Sequence, residues 1–259
     1  MKLLTGKSER LGDSFQSVLE AIEVGVVGLG GTGSSVAEQL VRMGVRRLRL
    51  VDHDTFEPSN LSRLYGSKHK DVTKRRAKTD IVCSHLKGIN RKAEIKSVKK
   101  SVLTNSVLKQ LANCDIIFSC LDRHAPRAVL NELSNQCFIP VIDIGVGLDR
   151  QGESSGIGGT ARATLIGPGL ACLFCQEIIR PEIITAENLT PDQYESRRAD
   201  GYVADMDDHP LSVIYYTTLA SSLGLILFSE FLRGQKPGLT VLFDLESFDT
   251  IRLSPRESS

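Results

Sequence analysis

The 259-residue sequence has no cysteine beyond position 175, no unbroken apolar stretch of membrane length and no excess of either charge. Each absence removes a class of function. A formal net charge of +1 excludes non-specific nucleic-acid binding as the main task. The most apolar late segment, Leu211 to Leu232, is interrupted by Ser212, Tyr215, Ser222 and Glu230, so it reads as a buried or interface helix rather than a membrane span. The first residues carry no apolar signal region and the cysteines look free, which leads us to expect a cytoplasmic protein. There is no internal repeat and no low-complexity segment. A composition that is 41% hydrophobic and 24% charged is that of an ordinary folded protein, long enough for one large α/β domain.

What is present begins with Val24 to Val27, which runs into Gly28-Leu29-Gly30-Gly31-Thr32-Gly33 and a helix expected over Ser35 to Met43. An apolar strand through Leu48, Leu50 and Val51 then ends on Asp52. Strand, glycine turn, helix start and acidic strand tip together describe a nucleotide grip. Gly28, Gly30, Gly31 and Gly33 let the backbone approach phosphate, the helix end offers free N–H groups, and Asp52 can accept from ribose hydroxyls. The stretch after it, Asp52-His53-Asp54 through Asn60-Leu61-Ser62-Arg63, is unlike a dehydrogenase loop. It places Asn60 and Arg63 on a short turn or helix, expected to be capped by Ser59, where an arginine can reach a phosphate tail. Lys68, Lys70, Lys74, Arg75, Arg76 and Lys78 follow, mostly as a solvated face, with one or two free to meet a triphosphate. A third element, Asp115 to Leu121, is a buried strand ending on Asp122. A carboxylate there suits magnesium beside a nucleotide tail, or else caps the helix starting near His124.

These blocks resemble the ThiF/MoeB/HesA family, bacterial relatives of ubiquitin-activating enzymes. The match is carried by Gly28 to Gly33; by Asp52 through Asn60-Leu61-Ser62-Arg63; by Lys78-Thr79-Asp80 opening a helix that ends near Ile89-Asn90; and by Cys120-Leu121-Asp122 followed by Arg127. Pro168 to Cys175 is similar to the family's first CxxC, and Pro210-Leu211-Ser212-Val213 opens a long helix as in the family. The resemblance implies a Rossmann-like, mostly parallel sheet flanked by helices, with a C-terminal antiparallel extension and a crossover loop. It implies ATP-dependent adenylation of a carboxylate, usually the C-terminal glycine of a ubiquitin-like or sulfur-carrier protein or a peptide. Asp52 would hold the ribose, with Asp54 beside it in the cofactor site; Asn60, Arg63 and Lys78 would contact phosphates, and Asp122 would hold Mg2+. Between Asp71 and the helix the chain is slightly longer than the family pattern, which leaves Arg75 and Arg76 as alternatives to Lys78; the distance to Asn90 favours Lys78. Family members also donate an N-terminal arginine into a partner subunit's site, and Arg10 lies in a segment only faintly similar. A homodimer is expected.

The cysteines depart from the family. Relatives with a structural zinc carry a second CxxC, because zinc wants four ligands. Here only Cys172 and Cys175 remain, with His209 the one histidine downstream, so a complete zinc site is not expected and the pair is a relic or a redox pair. Relatives that form a thioester keep a cysteine after the CxxC, and 176–208 has none. The expectation is a protein that stops at the adenylate, with Cys172 or Cys175 left open as an acceptor. Cys83, Cys114, Cys120 and Cys137 read as small core residues.

The remaining organisation divides the single domain into a nucleotide-binding half (1–150) and a substrate, crossover-loop and dimer half (151–259). Helices are expected at Lys78 to Lys87 and Thr104 to Leu111, and strands at Glu94 to Val98, Ile116 to Ser119 and Val141 to Ile144. Gly145 to Ile166 reads as hairpins, 176–209 as a polar crossover loop, and Leu239 to Phe243 with Thr250 to Leu253 as a terminal hairpin. Two competing functions share part of the pattern. An NAD-dependent oxidoreductase would use the glycine turn and Asp52 but has no need of Asn60, Arg63 and Asp122. A non-catalytic partner subunit of an activating enzyme would have no need to keep Asp52, Arg63, Lys78 and Asp122 together.

Overall fold

A hydrophobic strand with both faces covered starts the structure: four of the five residues of β1 (Glu23–Val27) are buried, as are four of five in β2 (Arg47–Val51) and all of β4 (Ile116–Ser119). Such continuous burial is what parallel strands sandwiched between helices require. The computed structural model describes residues 13–150, 157–190, 192–194, 196, 212–235 and 239–253. Its sheet has eight strands in the order β3-β2-β1-β4-β5-β6-β7-β8, where β3 is Glu94–Val98, β5 Val141–Arg150, β6 Ile157–Ile166, β7 Thr240–Asp244 and β8 Thr250–Leu253. The first five strands in this order are parallel, and β5 to β8 pair antiparallel. The expected mostly parallel sheet with an antiparallel extension is what is found.

Helices flank both faces. On one side α2 (Gly31–Met43), α4 (Lys78–Ile89) and the long α8 (Ile214–Leu232) cover a core containing Leu40, Leu86, Phe118 and Phe228, with the last two rings 5.5 Å apart. On the other, α5 (Asn105–Leu111) and α6 (His124–Cys137) close over Leu111, Ile117 and Leu130. Short helices α1 (Asp13–Ala21), α3 (His69–Thr73) and α7 (Pro181–Glu187) complete the described set. No helix among the described residues is long and apolar enough to cross a membrane.

Several sequence expectations are corrected. The helix after the glycine turn begins at Gly31 rather than Ser35, so the turn's last glycines are already helical. Ser59 caps nothing: the 3-10 helix Pro58–Ser62 is opened by Glu57, whose side chain forms a capping box with Asn60 and is followed by a proline preset for a helix start. Gly145 to Ile166 belongs to one hairpin rather than several. β5 continues to Arg150 and makes one long ladder with β6, from Val141↔Ile166 to Arg150↔Ile157. The polar stretch 176–209 contains α7, although 191, 195 and 197–209 lie outside the described residues. Cys137 is exposed at the end of α6, and Cys83 and Cys120 are half-buried, which leaves Cys114 as the one expected core cysteine that is buried.

Candidate active site

The strand order reverses between β1 and β4: the chain goes from β1 outward to β2 and β3, then returns to β4 on the other side. Outside the C-terminal ends of these strands, where open α/β sheets bind ligands, lies a cleft of about 1270 Å³. Its first wall is the glycine turn. Gly28 adopts φ +84°, a left-handed conformation, and a side chain at Gly33 would run into the Gly28 carbonyl oxygen, so both are needed to set α2 on the turn. Gly30 has open space where a Cβ would stand. Gly28, Gly30 and Gly31 line the cleft, and the first N–H groups of α2 have no partner within the helix. Gly33 is a packing residue instead.

Asp52 sits at the tip of β2, 8% exposed. The Leu29 N–H donates to its Oδ2 at 2.6 Å and the Asp54 N–H to its Oδ1 at 2.8 Å, so the acid is fastened to the glycine turn. Burial pushes its carboxyl above the usual range, against the opposing pull of Lys78 and the two N–H donors. The loop beyond it is zipped to the start of α4: Thr55 pairs with Ala77, Phe56 N–H donates to Arg76 O at 2.8 Å, and Lys78 N–H to Asp54 O at 3.1 Å. Lys78 thereby enters the cleft, with its Nζ 2.7 Å from Asp54 Oδ2. Arg75 and Arg76 do not line it. Arg75 is exposed at a left-handed turn, and Arg76 is held by Asp71 at 2.9 Å and by Ser84 Oγ at 3.0 Å. Arg63 lines the cleft and donates to Ser59 O at 2.7 Å. Asn60 lines it too, though its Oδ1 is engaged by the Glu57 N–H at 3.1 Å.

Asp122 is exposed in the cleft and has no hydrogen bond or ion pair among the described residues. It does not cap the helix behind it. That task falls to Glu187, at the end of α7, whose carboxylate accepts from His124 N–H at 2.8 Å and Ala125 N–H at 2.7 Å. His124 Nδ1 accepts from Arg180 N–H at 3.1 Å, which leaves Nε2 to carry the proton, and burial lowers its pKa, with Arg127 acting in the same direction. The cleft thus has a positively biased helix end, already filled by an acid from the segment after the CxxC. Sequence reasoning missed Glu187.

It also missed the cleft floor. Asp143 on β5 is fully buried between Arg162 (2.7 Å) on β6 and Arg127 (3.5 Å) on α6, and accepts from Ser119 Oγ at 2.7 Å. Burial alone would raise the Asp143 carboxyl, but the two guanidinium groups and the hydrogen bonds hold it below the usual range. The signal was in the alternation of β5, where Ile142, Ile144, Val146 and Leu148 alternate with Asp143, Gly145 and Gly147.

The remaining candidates do not assemble. Cys172 and Cys175 lie with sulfurs 3.3 Å apart on a tight turn, and the one grouping of three metal-ligating residues among those described is Asp52, His53 and Asp54, away from the pair. The zinc donor set is therefore incomplete among the described residues; His209 lies outside them, as does Arg10. Although burial alone would raise it, the Cys172 thiol is lowered by hydrogen bonds from Cys175 and its neighbours, while burial pushes the Cys120 thiol, which faces the cleft, upward.

The sequence pattern of the ThiF family matches residues 6–219. Ubiquitin-like modifier-activating enzyme 5 of Oryza sativa subsp. japonica is 30% identical over 156 residues, covering 54% of this chain and 36% of that protein. The sulfur carrier protein ThiS adenylyltransferase of Bacillus subtilis (strain 168) is 27% identical over 145 residues, covering 54% and 43%. The chain spans less than half the length of either curated relative it matches here. A crystal structure of E. coli MccB with ATP superposes with a TM-score of 0.70 at 19% identity, over 94% of this chain and 68% of MccB, a likeness of fold.

Proposed function

The chain belongs to the ThiF family, and from that premise we propose that it adenylates a carboxylate with ATP. The observation that carries this reading is the convergence, in one cleft at the strand-order reversal, of the glycine turn, buried Asp52, Lys78, Arg63 and unpaired Asp122. The donor set suits a nucleotide triphosphate: bare backbone at Gly30 for phosphate approach, a carboxylate for ribose hydroxyls, and two cations for phosphate oxygens. Asp122 and phosphate oxygens would hold magnesium, whose chemistry is to neutralise charge on the phosphates.

This chain's own part is positioning. Asp52 fixes the ribose and so the register of the tail. Lys78, kept extended into the cleft by Asp54, and Arg63, kept by the Ser59 carbonyl, draw the phosphates and the attacking carboxylate together despite their like charge. The carboxylate oxygen forms its bond to the α-phosphorus as the bond to pyrophosphate breaks. The substrate is a protein or peptide tail ending in a free carboxylate, of the kind the relatives' names indicate: a ubiquitin-like modifier or sulfur carrier. The acyl-adenylate is the product we assign to this chain: burial works against the Cys120 thiolate, and Cys172, whose thiol pKa is lowered, is the alternative acyl acceptor. The exposed Tyr215 and Ile226, which fall on one side of α8, supply an apolar surface for a homodimer.

The test is calorimetric titration with magnesium-ATP, with NAD as the control. Binding is expected for ATP alone, to need magnesium, and to weaken at least about tenfold in Asp122→Ala and Lys78→Ala. Binding of NAD instead, or unchanged ATP affinity in both variants, would remove the reading.

A further inference from the structure

The hairpin of β5 and β6 has two unlike faces. Ile142, Ile144 and Val146, with Ala161, Ala163 and Leu165 opposite, form the face packed against α8. The other face carries Asp143, Gly145 and Gly147 on β5, paired with Thr164, Arg162 and Thr160 on β6. Gly145, Gly147, Thr160 and Arg162 line the cleft, and so does Arg127. Gly147 leaves open backbone there, with only Thr160 Oγ1 near the place of a β-carbon. A side chain at Gly145 would meet Arg162 Nη2 at 2.9 Å and Arg127 Nη2 at 3.3 Å, so the glycine is what lets both guanidinium groups lie over the strand.

The charges there do not cancel. One acid, Asp143, serves two arginines whose side chains are 11% and 14% exposed. Arg162 is clamped: Nη2 donates to Asp143 Oδ2 at 2.7 Å and Nη1 to Thr164 Oγ1 at 2.8 Å. Thr164 is held by Thr240 Oγ1 at 3.0 Å, and Thr240 by Gln176 Oε1 at 2.7 Å, beside the CxxC turn. Arg127 Nε donates to Leu121 O at 2.9 Å, which ties the second arginine to the residue before Asp122. Arg162 Nε has no partner among the described residues. A fixed guanidinium with unused donors, in a cleft with an uncompensated positive charge, is built to receive a planar anion in fork geometry.

We propose that Arg162, with Arg127 beside it, is the receptor for the terminal carboxylate of the incoming tail, and that the open backbone at Gly147, next to the guanidinium groups over Gly145, carries the last residues of that tail. This rests on the adenylation reading and adds to it the residue that selects a free carboxylate. Arg162 touches the group that reacts, whereas Asp143 and Thr164 are positioning residues that hold the fork. The tail's own backbone can approach this floor closely at Gly147, where only Thr160 stands beside it.

The 259-residue chain is titrated with N-acetyl-glycylglycine and, separately, with its methyl ester, each followed by ligand-observed NMR. Wild type is expected to bind the acid and to bind the ester at least about tenfold more weakly. Arg162→Gln is expected to weaken the acid about thirtyfold, and Arg162→Lys, which keeps charge but loses the fork, about fivefold, with the ester unchanged in all three proteins. The acid-to-ester ratio separates recognition from damage, since a collapsed cleft would change both ligands. Equal binding of acid and ester, no binding of either to wild type, or acid affinity that neither variant changes would overturn the assignment. Magnesium-ATP binding by wild type is measured independently; its absence would remove adenylation while leaving the acid-against-ester comparison to be read by itself.

Discussion

The two ends of the cleft are made of different material. At the β1–β2 end the ligand-facing surface is largely backbone: a left-handed glycine, the first turn of α2, and an aspartate fastened to that turn by an N–H. At the β5–β6 end it is side chains, two arginines and an aspartate, standing over a strand stripped of its own side chains. In the adenylation proposed above, backbone geometry would read a cofactor that never varies. Side-chain geometry over an open floor can be changed one residue at a time without disturbing the turn, so the difference separates what must be constant in the reaction from what can be respecialised.

The sharpest way to break this comparison is at Gly33. Because a β-carbon there meets the Gly28 carbonyl, Gly33→Ala is expected to cost about 3 kcal/mol or more of stability and to abolish magnesium-ATP binding, read by denaturant melts and calorimetry. A Gly33→Ala protein of normal stability would show that the turn has slack. Next comes Asp143→Asn. Breaking a buried pair from one side leaves both arginines uncompensated, a loss of about 3 kcal/mol at neutral pH. The folded-state carboxyl is depressed, so its contribution is present above the unfolded value of about 3.9 and disappears as pH falls through the folded one. The gap between wild type and variant in urea melts should therefore be full at pH 7 and close below about pH 4; a gap independent of pH would show that the cluster is held by packing.

How much of this was legible follows the same division. That the glycine turn, Asp52, Asn60, Arg63 and Asp122 share one cleft could be anticipated because the pattern is local: strand, turn, helix start and strand tip announce themselves by glycine and acid in short range. Lys78 needed only the helix register to be preferred over Arg75 and Arg76. Arg162 and Glu187 could not be found this way. Arg162 acquires its place through a strand register that sets it against Gly145, and Glu187 through a contact with residues 62 and 63 positions earlier. The glycines of β5 misled: in a short window Gly145 and Gly147 signal turns, and only the apolar residues between them reveal a strand. Ser59 misled for a related reason, since Glu57 and Asn60 satisfy each other and leave a serine no cap to make.

Two smaller effects sharpen the comparison further. Glu187→Gln removes a charge from the N-terminus of α6 and one of two acceptors, an expected loss of about 1 kcal/mol. Hydrogen exchange at the His124 and Ala125 amides should quicken accordingly, and unchanged protection would mean that α7 is held elsewhere. Smallest of all is Gly147→Ala. A β-carbon there meets only Thr160 Oγ1, at 3.6 Å, so stability should stay within about 0.5 kcal/mol of wild type. A large loss would show the hairpin face to be as unforgiving as the glycine turn.

The zipper between Thr55 and Ala77 fixes Lys78 through backbone bonds at both ends of the loop 57–75, and nothing in that fastening depends on how many residues the loop contains. Its tip, Lys74 and Arg75, is exposed, with Arg75 at φ +43°. The turn at Lys74 and Arg75 is therefore a place where insertions and deletions can accumulate over evolutionary time without moving Lys78, and where a reporter or affinity tag could be spliced into the chain.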